Sequence, residues 1–169
     1  HNQIQQVREA AAMGARGVWI EECLTDYFSP AAFARLNVPF VKRLVDEIRR
    51  CGMKSIYYYC GNPADRWDLL FEAGADALSL EEGKKGWNLD IEEIAQRAGG
   101  RAAILGNLDA VRLLERGGED AVRAEIEREI AAGRANGGRF VMSIGSPVTP
   151  GTTPQRVRRY LEIARETGS

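Results

Sequence analysis

The strongest constraint on this chain is a rhythm that runs along its whole length. Short, nearly continuous apolar runs alternate with amphipathic helical stretches, without a linker between them. The runs RGVWIEE (16–22), KSIYYYC (54–60), ADALSLE (75–81), RAAILGN (101–107) and RFVMSIG (139–145) read as strands covered on both faces. Between them, residues 29–50 open on Ser29 as N-cap and Pro30 as first helical residue, and Phe33, Leu36, Phe40, Leu44 and Ile48 recur at helical spacing. Pro39 is predicted to kink or split that stretch, and Gly52 to close it. Further helices are predicted over 62–74, 90–99 (Asp90 as cap, with Glu93 in a variant capping box), 119–133 and 152–168.

Strands that alternate with helices build parallel βαβ units. A doubly wound open sheet and a (β/α)8 barrel both produce this pattern. No G-x-G-x-x-G turn follows the first strand, which counts against a dinucleotide site. Polar residues instead collect after every strand: Glu21-Glu22, Cys60 to Asn62, Glu81-Glu82, Asn107 to Asp109, and Ser146 with Thr149. A barrel enzyme gathers its site from such strand ends. A complete barrel takes about 250 residues and eight strands. The reading is therefore α/β, with residues 1–169 as one incomplete domain, the C-terminal part of a TIM-type barrel with about five parallel strands.

Composition removes several functions. The net charge is -1 and the basic residues are scattered, so no footprint for nucleic acid or an anionic membrane exists. No apolar run approaches the roughly 20 residues a membrane span needs. Three cysteines, Cys23, Cys51 and Cys60, suit a reducing cytoplasm rather than a disulfide scaffold. The single histidine, His1, leaves little room for imidazole catalysis. The opening HNQIQQVREAAAMGARG lacks a Met and enters mid-helix, so the chain is expected to begin inside a domain.

Several segments, in order, resemble the uroporphyrinogen decarboxylase superfamily, which also holds zinc-dependent corrinoid methyltransferases. FSPAAFARLNVPFVKRLVDEI resembles its Ser-Pro-x-x-Phe segment, and YYYCGN the strand that carries His-x-Cys-Gly-Asn in methyltransferase members. GADALSLEE is similar to Gly-Ala-Asp followed by a strand ending in an acid, and ILGNLDA to a Gly-Asn-Leu-Asp-Pro turn with Ala110 for Pro. SIGSPVTPGTTPQRV resembles the closing Gly-(His or Cys) segment, with Ser146 at the variable place. The resemblance implies a barrel whose first half, with an acidic catalytic residue and arginines for substrate carboxylates, precedes this stretch.

It further implies porphyrin biosynthesis: cofactor-free decarboxylation of tetrapyrrole acetate side chains by the full-length protein, the fragment alone being inactive. The alternatives are methyl transfer from a corrinoid or small methyl donor, and a barrel that binds ligand without chemistry. Partners implied are the small-molecule substrate, the missing N-terminal half, a homodimer, and a corrinoid protein if the activity is methyl transfer.

Catalytic candidates are Glu22, Glu81 and Tyr58, and substrate-binding candidates are Cys60, Asn62, Asn107, Ser146 and Thr149. Glu22 reads as a carboxylate for a pyrrole N–H or for carbon protonation, or as a strand end that caps a turn. Glu81 is expected on the face of Ala77 and Ser79, with Glu82 on the opposite face. Tyr58 and Cys60 share a face where methyltransferase relatives carry His and Cys, and Cys60 also reads as a small buried side chain. No metal is favoured, because Tyr58 and Ser146 replace two usual ligands; zinc, if bound, would take Cys60 with Glu22 or Glu81. Asn107 could donate to a substrate carboxylate, whereas Asp109 reads as a turn residue. The Ser146–Gly151 loop could hold an anion, as could Lys84 and Lys85.

Overall fold

The computed structural model describes residues 2–83 and 86–168, so Lys84 and Lys85 lie outside the described residues. The chain divides into two compact units, His1–Leu78 and Ser79–Ser169. The five strands stand in the sheet in the order in which the chain makes them, β1-β2-β3-β4-β5. A doubly wound sheet reverses its order at a switch point. This one does not, and of the two architectures the sequence allowed, the order is that of a barrel.

The first unit holds α1 (Asn2–Ala12), β1 (Gly17–Cys23), a 3-10 turn (Thr25–Tyr27), α2 (Pro30–Leu36), α3 (Val38–Arg50), β2 (Lys54–Cys60) and α4 (Trp67–Glu72). β1 and β2 pair in parallel from Gly17↔Lys54 to Cys23↔Cys60. The helix predicted over 29–50 is split at Asn37, and Pro39 falls in the first turn of α3, where its missing N–H costs nothing. Because the split resets the helical phase, Val38, Val41, Val45 and Ile48 face the core, while Leu36 and Phe40 are exposed. The helix predicted from residue 62 begins only at Trp67. Asn62 spends its side chain on a turn, Oδ1 accepting from the Ala64 N–H at 3.0 Å.

The Gly-Ala-Asp segment has a structural task. Asp76 accepts from the Ser55 N–H and Oγ, both at 3.0 Å, and pairs with Lys54 at 2.8 Å. The Ser55 hydroxyl in turn accepts from the Asp76 N–H at 3.0 Å. The start of β2 and the chain entering β3 (Ala77–Leu80) are thereby tied together.

The second unit contains α5 (Ile91–Ala98), β4 (Ala103–Leu105), α6 (Glu119–Ala135), β5 (Phe140–Val141) and α7 (Pro154–Gly168). Asp90 caps α5 as expected, accepting from the Glu92 N–H at 2.8 Å. β4 and β5 are shorter than the sequence suggested. Pairing continues irregularly past them, through Gly106 N–H to Val141 O at 2.9 Å and a Leu108↔Ile144 bridge. A π-helical turn over Ala110–Glu115 was not predicted, since its wide i→i+5 bonds leave no familiar periodicity. The core of this unit joins Leu108, Leu114, Val122, Ile126, Tyr160 and Ile163. Among the described residues no helix is long and apolar enough to cross a membrane.

Candidate functional site

In parallel strands, register partners point to the same face and neighbours alternate. Tyr57 and Tyr59 face α2 and α3: the Tyr57 hydroxyl donates to Asn37 Oδ1 at 3.1 Å, and the Tyr59 ring meets Phe33 edge-on at 5.9 Å. The opposite face carries Trp19, Glu21 and Cys23 from β1 beside Ile56, Tyr58 and Cys60 from β2. There the rings of Trp19 and Tyr58 lie 5.2 Å apart, and the Cys23 thiol donates to Glu21 Oε1 at 3.4 Å. Tyr58 and Cys60 are thus together, as their spacing predicts.

Glu22 is on the other side. As the register partner of Tyr59 it shares the helix-facing layer, and Asn37 Nδ2 donates to its Oε2. Burial raises the Glu22 carboxyl above its ordinary range, and hydrogen bonds from Asn37 and Thr25 oppose the shift. On the Tyr58–Cys60 face the acid is Glu21. The alternation rule would have shown this had the strand been started at Gly17 and its pairing been known.

The loop after β1 is organised by a residue that sequence reasoning passed over. Arg66 is buried and donates to the carbonyls of Thr25 (2.8 Å) and Phe28 (3.0 Å), and to Asp65 (2.8 Å). Its guanidinium lies 5.2 Å over the Phe33 ring. One side chain from beyond β2 therefore holds the loop that follows β1.

In the second unit the polar strand ends meet. Ser146 Oγ donates to Glu82 Oε1 at 2.7 Å, with both residues buried. Gly145 is required beside them, because any Cβ there would run into the Glu82 carboxylate and backbone. Asn107 donates from Nδ2 to Leu89 O at 2.8 Å. Glu82, Asn107, Asp109, Arg112 and Arg128 line a cavity of about 370 Å³. Glu81 is equally buried. Since β3 ends at Leu80, strand alternation no longer governs positions 81 and 82, and Glu82 is the acid that reaches Ser146.

Asp109 is spent on the turn, as expected. Its Oδ1 caps the π-helical turn through Val111 N–H (2.9 Å) and Arg112 N–H (2.6 Å), and its Oδ2 takes Arg112 Nε at 2.6 Å. Burial alone would raise this carboxyl, but the hydrogen bonds outweigh it and leave it below the ordinary value. Thr149 donates to Glu115 and lies 2.8 Å from the Thr152 hydroxyl, so its oxygen is engaged within the loop. Around the cavity stand the carboxylates of Glu82, Asp90, Asp109 and Glu125, against the guanidinium groups of Arg112 and Arg128. Arg128 is bound to Asp90 and Glu125, both at 2.8 Å. The cavity is rich in acceptors.

The zinc set Cys60 with Glu22 does not fit, because Glu22 lies on the far face and is taken by Asn37. Among the described residues no three His, Cys, Asp or Glu side chains are grouped to hold a metal ion.

The sequence profile of the family described as Uroporphyrinogen decarboxylase (URO-D) matches residues 1–167. A uroporphyrinogen decarboxylase of Xanthomonas euvesicatoria is 30% identical over 162 residues, covering 91% of this chain and 44% of its own length. One from Anaeromyxobacter is 29% identical over 159 residues, covering 94% and 43%. The chain thus spans less than half the length of these relatives. Among solved structures, a methyltransferase from Methanosarcina mazei superposes with a TM-score of 0.82 at 20% identity, over 99% of this chain and 47% of that one. That likeness concerns the fold, which is of the TIM-barrel type. Strand order, the profile match and these relatives agree: the chain belongs to the uroporphyrinogen decarboxylase family.

Proposed function

We propose that the full-length protein decarboxylates acetate side chains of a tetrapyrrole without a cofactor, this chain supplying part of the site. The observation that carries the reading is Glu82, held by the buried Ser146 hydroxyl, which together with Asn107 lines an acceptor-rich cavity at the ends of β3 and β4. Family membership and relatives named as uroporphyrinogen decarboxylases support it. Decarboxylation of a pyrrole acetate needs protonation of the ring carbon, release of CO2, protonation of the exocyclic methylene carbon and loss of the ring-carbon proton to restore the pyrrole. Carboxylates such as Glu82 and Glu81 suit pyrrole N–H groups, which only donate. The Ser146 hydroxyl fixes the Glu82 carboxylate before substrate arrives, so its orientation costs nothing during reaction.

Incubation of the full-length protein with uroporphyrinogen, followed by chromatography of the oxidised porphyrins, tests this. The expected result is stepwise carboxyl loss ending in the coproporphyrin. Glu82→Gln should lower kcat by about 100-fold, a typical loss for one acid–base or electrostatic group. Methyl transfer from a corrinoid, or tight tetrapyrrole binding without turnover, would overturn it in favour of the other readings.

A further inference from the structure

Cys23 and Cys60 are the last residues of β1 and β2 and are register partners. Paired strands run about 4.8 Å apart, within the roughly 4.4–6.8 Å that disulfide-linked Cα atoms span. Both side chains lie on the face of Glu21 and Tyr58, Cys23 exposed and Cys60 half-buried. The Cys23 thiol hydrogen-bonds Glu21 Oε1 at 3.4 Å and interacts with the Cys60 side chain. Cys51, which ends α3, precedes β2, while Cys60 closes it, a separation of about 20 Å along the strand. The three thiols are therefore one close pair and one outlier.

We propose that Cys23 and Cys60 form a reversible dithiol–disulfide site at the ends of the first two strands, closed by exchange with a small disulfide. The thiolate of one cysteine attacks the small disulfide and expels one thiolate, leaving a mixed disulfide. The second cysteine, as thiolate, then attacks the protein-side sulfur and expels the other. Two protein thiols become one disulfide, and one small disulfide becomes two small thiols, so atoms and electrons balance. Burial, then Cys60 and Glu21, push the Cys23 thiol up to about 12. Attack needs the thiolate, so closure is slow at neutral pH, and its extent is best read at equilibrium. Closing the pair removes the Cys60 thiol from the Tyr58 face and staples the two strand ends. The site is independent of the decarboxylation reading.

The test equilibrates the chain in buffers of reduced and oxidised glutathione, quenches with acid and maps peptides by mass spectrometry without reduction. The expected product is a Cys23–Cys60 cross-linked peptide that grows with the oxidised fraction and disappears on adding dithiothreitol. Cys51→Ser should leave it unchanged. In guanidinium the three pairings should become mixed, which shows that folding selects this one. Glutathione adducts on Cys23 that never close, pairing through Cys51, or the same pairing distribution folded and unfolded would each overturn the proposal.

Discussion

The Glu129 carboxyl is buried directly against Gly106, and any Cβ at position 106 would collide with its Oε2. The acid thus sits beneath the backbone that leads from β4 to Asn107. Burial, with Glu125 and Asp90 adding to it and Arg128 and the Asn107 N–H opposing, pushes Glu129 up to about 9. At neutral pH it is a neutral acid. The nearby Tyr160 hydroxyl is raised too, by burial and then by Glu129.

The folded chain keeps a proton on Glu129 that the unfolded chain releases above about 4.5. This contribution is complete below that pH and is lost as pH rises toward 9, by up to about 1.4 kcal/mol per pH unit. Urea midpoints measured from pH 5 to 9 should fall, and Glu129→Gln should flatten the slope. An unchanged slope in the variant rules this out. Asp76 and Asp109 act oppositely: both are held below their ordinary value, and their contribution disappears only as pH falls through the acid range.

Arg66→Lys should destabilise the first unit by about 2–4 kcal/mol, because one ammonium cannot reproduce the forked bonds of the buried guanidinium to the Thr25 and Phe28 carbonyls. Hydrogen exchange should quicken in residues 24–28 before the strands themselves open. Uniform exchange across the unit would show that Arg66 does not hold that loop.

Asn136 donates from Nδ2 to Ala102 O (3.1 Å) and Arg139 O (2.9 Å), and accepts from Gly100 N–H at 2.7 Å. Asn136→Leu removes all three of these bonds, the Arg139 carbonyl alone keeping the Ile104 N–H at 3.0 Å, and should cost about 2–4 kcal/mol in thermal or urea unfolding. A loss within about 0.5 kcal/mol, typical of a surface position, would contradict it.

Leu24 has φ +67°, the one non-glycine residue with positive φ among the described residues, and it is 69% exposed. Leu24→Gly should therefore raise stability by about 1 kcal/mol, and Leu24→Val should lower it, since branching at Cβ worsens the left-handed conformation. Equal effects from both would mean the loop relaxes instead.

Trp19, Tyr27, Phe28 and Phe40 expose large apolar surface in the first unit, and β1 ends the strand order. An uncovered strand edge with such a surface invites pairing. The isolated chain should elute as oligomers in size-exclusion chromatography. A compact monomer would show that this surface is tolerated in water.

Much of this protein was legible in local pattern. The strand and helix rhythm, the Ser29 and Asp90 caps and the Tyr58–Cys60 face all follow from periods and turn chemistry that a few adjacent residues set. Glu129 also had a signal: it falls at helical spacing on the Val122, Ile126, Gly133 face, where an acid must be buried. The break at Asn37 was signalled by Pro39, whereas the reach of Arg66 and the meeting of Ser146 with Glu82 had no such signal. Each joins residues far apart in sequence, or rests on where a strand stops.

Sequence alone determined the alternation of βα units, because backbone propensity and side-chain period act over a few residues. Only tertiary structure decided which acid looks at which neighbour: Glu21 rather than Glu22 beside Tyr58, and Glu82 as the partner of Ser146. A one-residue change in strand register or end turns a side chain to the opposite face, and only the paired strand and the packed helix select between the two.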